Sequence, residues 1–348
     1  MSIIYFIIAL SAIVVVHELG HFATAKFFKV YCKEFSWGFG PTLLKYQGKE
    51  TKYSIRALPF GGYVSMAGEE GVDSENVPVE RTITGIKKFK RVIIMLAGIV
   101  LNIILAWRIF VGYYLIKPEV MIIPKAVIKE VMPGSPAEKA GILPGDLIDK
   151  VILADNTKVV VRDFYELADV LGKSEGEITI ILTRNSEVLK YTVTPIYSAE
   201  LDRNYIGITN IDPTYRTLKV GECFSEGTYL LKDVAGSMLD FISGLFVGKG
   251  YNQLSGPIGI YEATDESAKA GLSNYILIIG LLSLNVAFFN LLPLPILDGG
   301  RVVLILIEAV IKRPINKKIE TGLMMVSLGM LFLLIGMAFF NDLSRILG

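Results

Sequence analysis

The residues with the clearest chemical potential form one short string, His17-Glu18-Leu19-Gly20-His21. The chain has only two histidines in 348 residues, and both lie in this string. On a helix, residues four apart lie on one face about 5–6 Å from each other, so the two imidazoles could bind one metal ion. Glu18 would then be placed to accept a proton from a water molecule at the metal rather than to act as a ligand. Zinc suits these donors, but a catalytic zinc site needs a third protein ligand from elsewhere in the chain.

An HExxH string also occurs by chance in soluble helices, so its surroundings decide what it means. Residues 1–16 carry no charged side chain and run directly into His17. Charged and imidazole groups inside a spanning helix are costly and usually serve a function. At a rise of ~1.5 Å per residue, His17 lies ~24 Å along the first helix, still within a hydrocarbon core ~30 Å thick. The string therefore predicts a metal site inside a membrane.

Asp298 is the acid that matches this depth. It ends a long uncharged stretch, residues 270–297, and lies among apolar residues and glycines. Pro293 and Pro295 break the helix just before it, which frees backbone groups and turns the chain. Asp298 could instead be an ordinary charged stop at the end of a spanning helix. Its isolation among apolar residues favours the third-ligand interpretation, with one Zn²⁺ per chain.

The composition agrees with a membrane protein. Hydrophobic residues make up 52% of the chain, and the mean hydropathy is +0.51. Four stretches approach the ~20 apolar residues that a spanning helix needs, namely residues 1–16, 92–116, 270–297 and 321–341. The first lacks a basic leader and a small-residue cleavage site, so we expect a helix rather than a signal peptide. The net charge of +1 gives no argument for binding nucleic acid.

The distribution of basic residues predicts the orientation. Residues 26–91 contain 12 basic and 7 acidic residues, whereas residues 117–269 contain 16 basic and 22 acidic residues. Because cytoplasmic loops are enriched in Lys and Arg, the first segment should be cytoplasmic and the second extracytoplasmic, with both termini outside. Cys32 and Cys223 then lie on opposite sides of the membrane and cannot pair.

Two segments between the spans have their own patterns. Residues 42–46 and 52–57 are β-type runs on either side of residues 47–50, which predicts a hairpin that could dip into the membrane. Residues 119–196 resemble a small soluble α+β domain with turns at residues 133–136 and 144–146. Residues 219–248 have the spacing of an amphipathic helix.

Taken together, HELGHF near the N-terminus, NxxPxPxLDGG before the last span and the PDZ-like insert resemble the site-2 protease family. The resemblance covers nearly the whole chain and is closest to single-PDZ relatives of the bacterial regulator of sigma-E protease. It implies that His17, His21 and Asp298 bind zinc and that Glu18 is the catalytic base.

The resemblance also implies roles for residues that the spacing alone does not single out. The substrate-binding residues would be Asn290, Pro293, Pro295 and the Gly38-Phe39-Gly40 part of a membrane-re-entrant β-hairpin. Asn102 matches a supporting asparagine in the second span. The chain departs from the usual family pattern at Ile99, where proline is common, and at Arg301, where histidine is common.

The predicted fold is a polytopic α-helical membrane protein with four transmembrane helices, a re-entrant β-hairpin and one extracytoplasmic PDZ-like α+β domain. The predicted segments are a first span with HExxH at 1–27, the cytoplasmic-side hairpin and loop at 28–91, a second span at 92–116, the PDZ domain at 117–210, an extracytoplasmic amphipathic helix region at 211–269, a third span with LDGG at 270–300, a cytoplasmic loop at 301–320 and a fourth span at 321–342.

The family implies cleavage of single-span membrane proteins inside a bacterial inner membrane, near its cytoplasmic side. The substrates would be an anti-sigma factor, already cut by an upstream site-1-type protease, or leftover signal peptides. One alternative is a non-catalytic membrane adaptor that binds peptides through the PDZ domain, although an adaptor would be free to lose Glu18. A metal-ion carrier should have ionisable residues along several spans, whereas here only Arg108 lies apart from the one cluster.

Overall fold

The computed structural model describes residues 2–69, 71–72, 75–122, 124–198, 203–210, 212, 214–248, 250–251 and 254–347. For residues 2, 60 and 246 it describes the backbone only. The chain forms two compact units. The first, which we call the helical unit, comprises Met1–Pro118 and Lys219–Gly348, and the second, the inserted unit, is Glu119–Leu218.

Nine helices lie within the described residues. They are α1 (Ser2–Phe27), α2 (Lys88–Ile116), α3 (Pro136–Ala140), α4 (Phe164–Lys173), α5 (Val220–Phe246), α6 (Pro257–Lys269), α7 (Leu272–Asn290), α8 (Asp298–Ile311) and α9 (Lys317–Leu347).

Twelve strands are likewise described. They are β1 (Cys32–Gln47), β2 (Lys52–Met66), β3 (Glu119–Ile122), β4 (Ile128–Val131), β5 (Leu147–Ile152), β6 (Lys158–Val160), β7 (Ile178–Arg184), β8 (Glu187–Val193), β9 (Ile196–Ser198), β10 (Arg203–Tyr205), β11 (Ile208–Asn210) and β12 (Thr214–Thr217).

In the described part of the chain, α1, α2, α7 and α9 are the helices long and apolar enough to cross a membrane. The prediction of a four-span membrane protein is therefore confirmed at the level of length and composition. The third span is shorter than the apolar stretch, because α7 ends at Asn290. Pro293 and Pro295 follow and cannot donate the backbone hydrogen bonds that would continue the helix.

Helix α2 is the centre of the helical unit and packs against α1, α5, α7 and α8. Phe110 of α2 and Leu284 of α7 are fully buried in one apolar cluster. Helix α5 lies along α2, where the indole of Trp107 donates a hydrogen bond of 3.0 Å to the Thr228 hydroxyl. Further along, Gly227 of α5 lies so close to the Val111 backbone that a larger side chain would collide there.

Strands β1 and β2 form the hairpin that the sequence predicts, with the turn after Gln47, but both strands are longer than expected. Both bend, and the pairing register shifts several times along the hairpin. Trp37 of β1, for example, pairs with Ile55 in the first half of β2 and with Gly62 in the second half. The hairpin is therefore folded back on itself, and the second half of β2, residues 62–66, forms one of its edges.

The inserted unit is an α+β structure with its own apolar core. Its four-stranded sheet has the order β6-β5-β7-β8, and β7 pairs antiparallel with β8. Ile148, Ile180 and Leu182 are fully buried in its core. Its first strand, β3, pairs with its last strand, β12, so that Glu119 lies opposite Thr217 and the two ends of the unit are adjacent.

Candidate metal centre

Three side chains that are far apart in sequence converge at one point of the helical unit. His17 and His21 lie one turn apart on α1, and their Nε2 atoms are 3.1 Å from each other. The Oδ2 atom of Asp298, the first residue of α8, lies 3.0 Å from the His17 Nε2 and 3.2 Å from the His21 Nε2. The two histidines are 7% and 6% exposed.

The His21 ring is oriented by a backbone group. Its Nδ1 lies 2.8 Å from the carbonyl oxygen of Ile94 on α2. A carbonyl oxygen can only accept, so Nδ1 carries a proton, and the neutral form of the ring then has its electron pair on Nε2, which faces Asp298. This is the tautomer in which Nε2 can bind a metal ion.

Two glycines allow α1 and α2 to approach closely at the histidines. A Cβ atom at Gly20 would collide with the backbone of Ala97. A Cβ atom at Gly98 would lie 2.6 Å from the His21 Nε2 and 2.9 Å from the His17 Nδ1. Neither glycine has a positive φ angle, so close packing rather than backbone conformation accounts for the residue type.

Asp298 reaches the histidines because the chain folds tightly between α7 and α8. Leu297 donates its backbone N–H to the Leu294 carbonyl at 2.7 Å, which closes a turn just before Asp298. A Cβ atom at Gly299 or Gly300 would collide with the backbone of this loop. The two glycines of the LDGG string therefore let α8 begin directly against the loop.

The three side chains face a cavity of about 330 Å³. Glu18 also lines it, as do Tyr63, Val64 and Met66 of β2. Strand β2 passes close to Glu18, since a Cβ atom at Gly62 would lie 3.6 Å from the Glu18 Cγ. The cavity thus brings together a potential base, three potential ligands and one strand.

Two further charged residues line the cavity, Glu69 and Arg301. The Glu69 Oε1 and an Nη atom of Arg301 are 3.8 Å apart. Burial raises the pKa of the Glu69 carboxyl above its usual value, while the Met66 amide and the Arg301 charge act in the opposite direction. Glu69 belongs to the segment expected to form the cytoplasmic-side hairpin and loop, residues 28–91, and nothing in its local sequence indicates that it lies here.

The arrangement of donors fits a zinc ion. Ligands about 2.0 Å from a tetrahedral zinc ion are roughly 3.3 Å from each other, close to the observed separations of 3.0–3.2 Å. The Asp298 Oδ2 accepts no hydrogen bond from the described residues, although it is buried. Two imidazole nitrogens and one carboxylate oxygen that converge in this way are a donor set that suits a zinc ion.

Comparison with known proteins identifies the family. The model of peptidase family M50 matches residues 5–334. The chain belongs to this family. Its members are site-2-type metalloproteases, so the predicted family, the metalloendopeptidase activity and the zinc cofactor are confirmed.

Bacterial relatives are similar over almost the whole length of this M50 chain. A Clostridium perfringens protein is 33% identical over 320 residues, which cover 91% of each chain. A Fusobacterium nucleatum protein is 33% identical over 353 residues, or 99% of each chain. A Synechocystis protein is 33% identical over 335 residues, or 92% of this chain and 89% of its own. Each carries a name that assigns it as a zinc metalloprotease.

The residues expected to contact substrate fall into two groups. Asn290 lines the cavity, and its amide donates a hydrogen bond of 3.0 Å to the Val286 carbonyl on its own helix. The cavity lining does not include Pro293, Pro295 or residues 38–40. Their predicted roles in binding substrate stay predictions.

The remaining expected residues have backbone or packing roles in the helical unit. Gly38 and Gly40 have φ angles of 86° and 83° at a bend in β1, a conformation that favours glycine. Phe39 stacks on Tyr63, with the ring centres 6.2 Å apart. Asn102 is fully buried on α2, and its backbone carbonyl accepts a hydrogen bond of 2.9 Å from the Ser283 hydroxyl.

Proposed function

We propose that this M50 metalloprotease is an intramembrane endopeptidase that cleaves single-span membrane proteins, with His17, His21 and Asp298 as the zinc ligands and Glu18 as the general base. The convergence of three donor atoms on two apolar segments carries the proposal, because such a cluster is costly in lipid unless it binds a metal. Glu18 lies on the same helix and lines the same cavity without being a member of that cluster.

When bound, zinc polarises the carbonyl group of the peptide bond and makes water a stronger acid. Glu18 then acts as a base, taking the proton of the attacking water and passing it to the departing amine. The Ile94 carbonyl holds the His21 ring in its metal-binding orientation. Close packing at Gly98 keeps both imidazoles in place.

The second half of β2 is the surface we propose for the substrate backbone. A helical substrate hides its carbonyl groups in its own hydrogen bonds, so it must unwind before it can be cut. An exposed strand edge can capture such an unwound segment by backbone pairing. Within the described residues, the strand partners of residues 62–66 all lie on β1, so no strand occupies the opposite edge, where the Met66 N–H is held by the Glu69 carboxylate. Tyr63, Val64 and Met66 line the cavity on this side.

We further propose that the hairpin re-enters the membrane. The hydroxyl group of Ser11, which lies well inside the α1 span, donates a hydrogen bond to the Pro59 carbonyl near the bend of β2. The bend is therefore level with the interior of an apolar helix. Non-helical backbone is tolerated at that depth only where its polar groups are covered by protein. The long strand pairing provides hydrogen-bond partners for many backbone N–H and C=O groups of the hairpin.

The cellular role we propose follows from the family and the charge distribution. The protein would lie in a bacterial inner membrane with both termini and the inserted unit outside, the inserted unit acting as a PDZ domain. It would make the second cut in anti-sigma factors after a site-1-type protease, or remove leftover signal peptides. Lipid and single-span proteins are its partners in this role.

The test uses the purified protein, single-span substrates and two variants. Glu18→Gln should keep its zinc and lose cleavage by about 10²-fold or more, since it removes only the general base. Asp298→Ala should lose zinc as well as activity, because it removes a ligand. Full zinc content in Asp298→Ala would show that the third ligand lies elsewhere. Near-normal cleavage by Glu18→Gln, or resistance of the native activity to a chelator, would contradict the mechanism and favour the non-catalytic adaptor.

A further inference from the structure

We propose that Glu69 is a positioning residue that holds the end of β2 against the helix carrying Asp298, and so determines which peptide bond of a bound substrate is cut. This inference rests on the proposed function, in which the substrate pairs with the edge of β2. It concerns two charged residues of the cavity that the proposed chemistry does not use.

One oxygen of the Glu69 carboxylate accepts a hydrogen bond from the end of β2. Met66 is the last residue of that strand, and its backbone N–H donates a hydrogen bond of 2.9 Å to the Glu69 Oε2. The backbone N–H of Glu69 donates in turn to the Met66 carbonyl at 3.2 Å. Any movement of the Glu69 side chain is therefore passed to the end of the strand.

The other oxygen faces α8. The Glu69 Oε1 lies 3.8 Å from an Nη atom of Arg301. Arg301 lies one turn after Asp298, and its backbone N–H donates to the Leu297 carbonyl at 3.0 Å, within the first turn of the helix. The Glu69 side chain is 22% exposed and the Arg301 side chain is 43% exposed, so the pair is partly open to water. A single carboxylate thus connects the strand end with the helix that begins at Asp298.

Within the described residues, the ion pair that Arg301 forms is the one with Glu69. A neighbouring cavity of about 410 Å³ is also lined by Glu69 and Arg301, together with Arg91 and Glu308. Arg91 pairs with Glu308 at 3.2 Å. In the described residues, the ion pairs of this region therefore sort into Arg91 with Glu308 and Arg301 with Glu69.

The geometry of a strand explains why this contact would affect the cleavage site. Successive residues of a strand advance by ~3.3 Å, so a shift of that size brings the next peptide bond to the same point. A shift of one residue also turns every side chain to the opposite face. If β2 can move relative to Asp298, a substrate paired with it can present more than one bond to the catalytic groups.

The experiment maps the cleavage sites by mass spectrometry in a single-span protein that the native enzyme cuts. The variants are Glu69→Ala, Glu69→Gln, Arg301→Gln and the double variant Glu69→Gln/Arg301→Gln. The matched control is Glu320→Gln, because Glu320 lines the neighbouring cavity but not the catalytic one. Zinc content and the midpoint of thermal unfolding are measured for each protein.

Losing one ordinary hydrogen bond changes a population ratio about tenfold, so Glu69→Ala should raise the share of displaced cleavage products about tenfold, with its zinc retained. Glu69→Gln keeps an acceptor for the Met66 N–H, so its products should be displaced less. Because Glu69→Gln and Arg301→Gln break the same pair, the double variant should resemble either single one. The control should cut like the native protein.

Four results would overturn the inference. If Glu69→Ala cuts the same bonds as the native protein at the same rate, the contact has no role in catalysis. Slower cutting at the unchanged bond, in step with lower thermal stability, would show that it only supports the fold. A native protein that cuts no single-span substrate would remove the proposed function, and this inference with it. If the native protein cuts the substrate and every variant cuts it at the same site, this inference is contradicted but the proposed function is not.

Discussion

Gly98 illustrates how single residues control the metal centre. Its Cα side faces both imidazoles, and a Cβ atom would lie 2.8 Å from the His17 Cε1 and closer still to the His21 Nε2. Real carbon contacts are longer, so a methyl group here must displace at least one ring. The motif that carries the ligands therefore depends on a residue some 80 positions away in the sequence.

We predict that Gly98→Ala weakens zinc binding. Disturbing the groups that orient metal ligands typically costs about 10–100-fold in affinity, and we expect a loss in this range. Gly112→Ala is the matched control, since Gly112 lies on the same helix with nothing within 4 Å of the added methyl group. Competition with a chelator measures the affinity of both variants. Equal affinities would mean that the rings can move aside without losing the metal.

We predict that Asn290→Ala raises KM for a single-span substrate and leaves zinc in place. The amide N–H₂ of Asn290 is engaged by the Val286 carbonyl, so the amide oxygen can accept from an unwound substrate backbone. Asn274→Ala is a suitable control, because Asn274 lies on the same helix and donates the same kind of bond to the Ala270 carbonyl just before that helix, but does not line the cavity. Unchanged steady-state kinetics in Asn290→Ala would limit Asn290 to a packing role.

At the scale of elements, α9 is attached to the rest of the helical unit through its C-terminal end. The Asp342 carboxylate is 1% exposed and accepts hydrogen bonds from the backbone N–H groups of Gly256, Ile258 and Gly259 at the start of α6. These are N–H groups that a helix start leaves without partners. Arg345 adds an ion pair of 2.6 Å to Glu262 of α6.

We predict that Asp342→Ala destabilises the protein by about 1–3 kcal/mol, because buried N–H groups lose their acceptor. The readout is the midpoint of thermal unfolding in detergent. Gly336→Ala is the control, since it changes α9 at a position with nothing within 4 Å. An unchanged midpoint in Asp342→Ala would show that water replaces the carboxylate at the start of α6.

At the scale of the whole molecule, the inserted unit has its own core and adjacent ends, while every proposed catalytic residue lies in the helical unit. The chain therefore separates the proposed chemistry from whatever the inserted unit recognises. We infer that the inserted unit excludes substrates that still carry a bulky outer domain, which would suit the proposed role after a first cut.

We predict that replacing residues 119–218 by a short flexible linker preserves zinc binding and cleavage of trimmed single-span substrates. Substrates with an intact folded outer domain should then be cut as well, because the barrier is gone. A side-by-side assay of trimmed and intact forms of one substrate measures both effects. Continued resistance of the intact form, with slower cutting of the trimmed one, would instead indicate that the inserted unit recruits substrate.

Local spacing and composition were enough to predict several parts of this protein. The HExxH spacing predicts two imidazoles on one helix face, and the isolation of Asp298 in an apolar stretch makes it the candidate third ligand. The apolar stretches predict the spans, and β-type runs around residues 47–50 predict the hairpin. Each of these signals lies within a few turns of the chain, so a period or a run of residues reveals it.

The distant groups that surround the candidate site are apparent in the folded chain but not in the sequence. The Ile94 carbonyl that orients His21, the close approach of Gly98 and the carboxylate of Glu69 come from other segments and have no signature in their own neighbourhoods. The structure also assigns the strand side of the cavity to Tyr63, Val64 and Met66, and not to residues 38–40. The bends and shifting register of the hairpin decide this, because they depend on long-range pairing that no local pattern encodes.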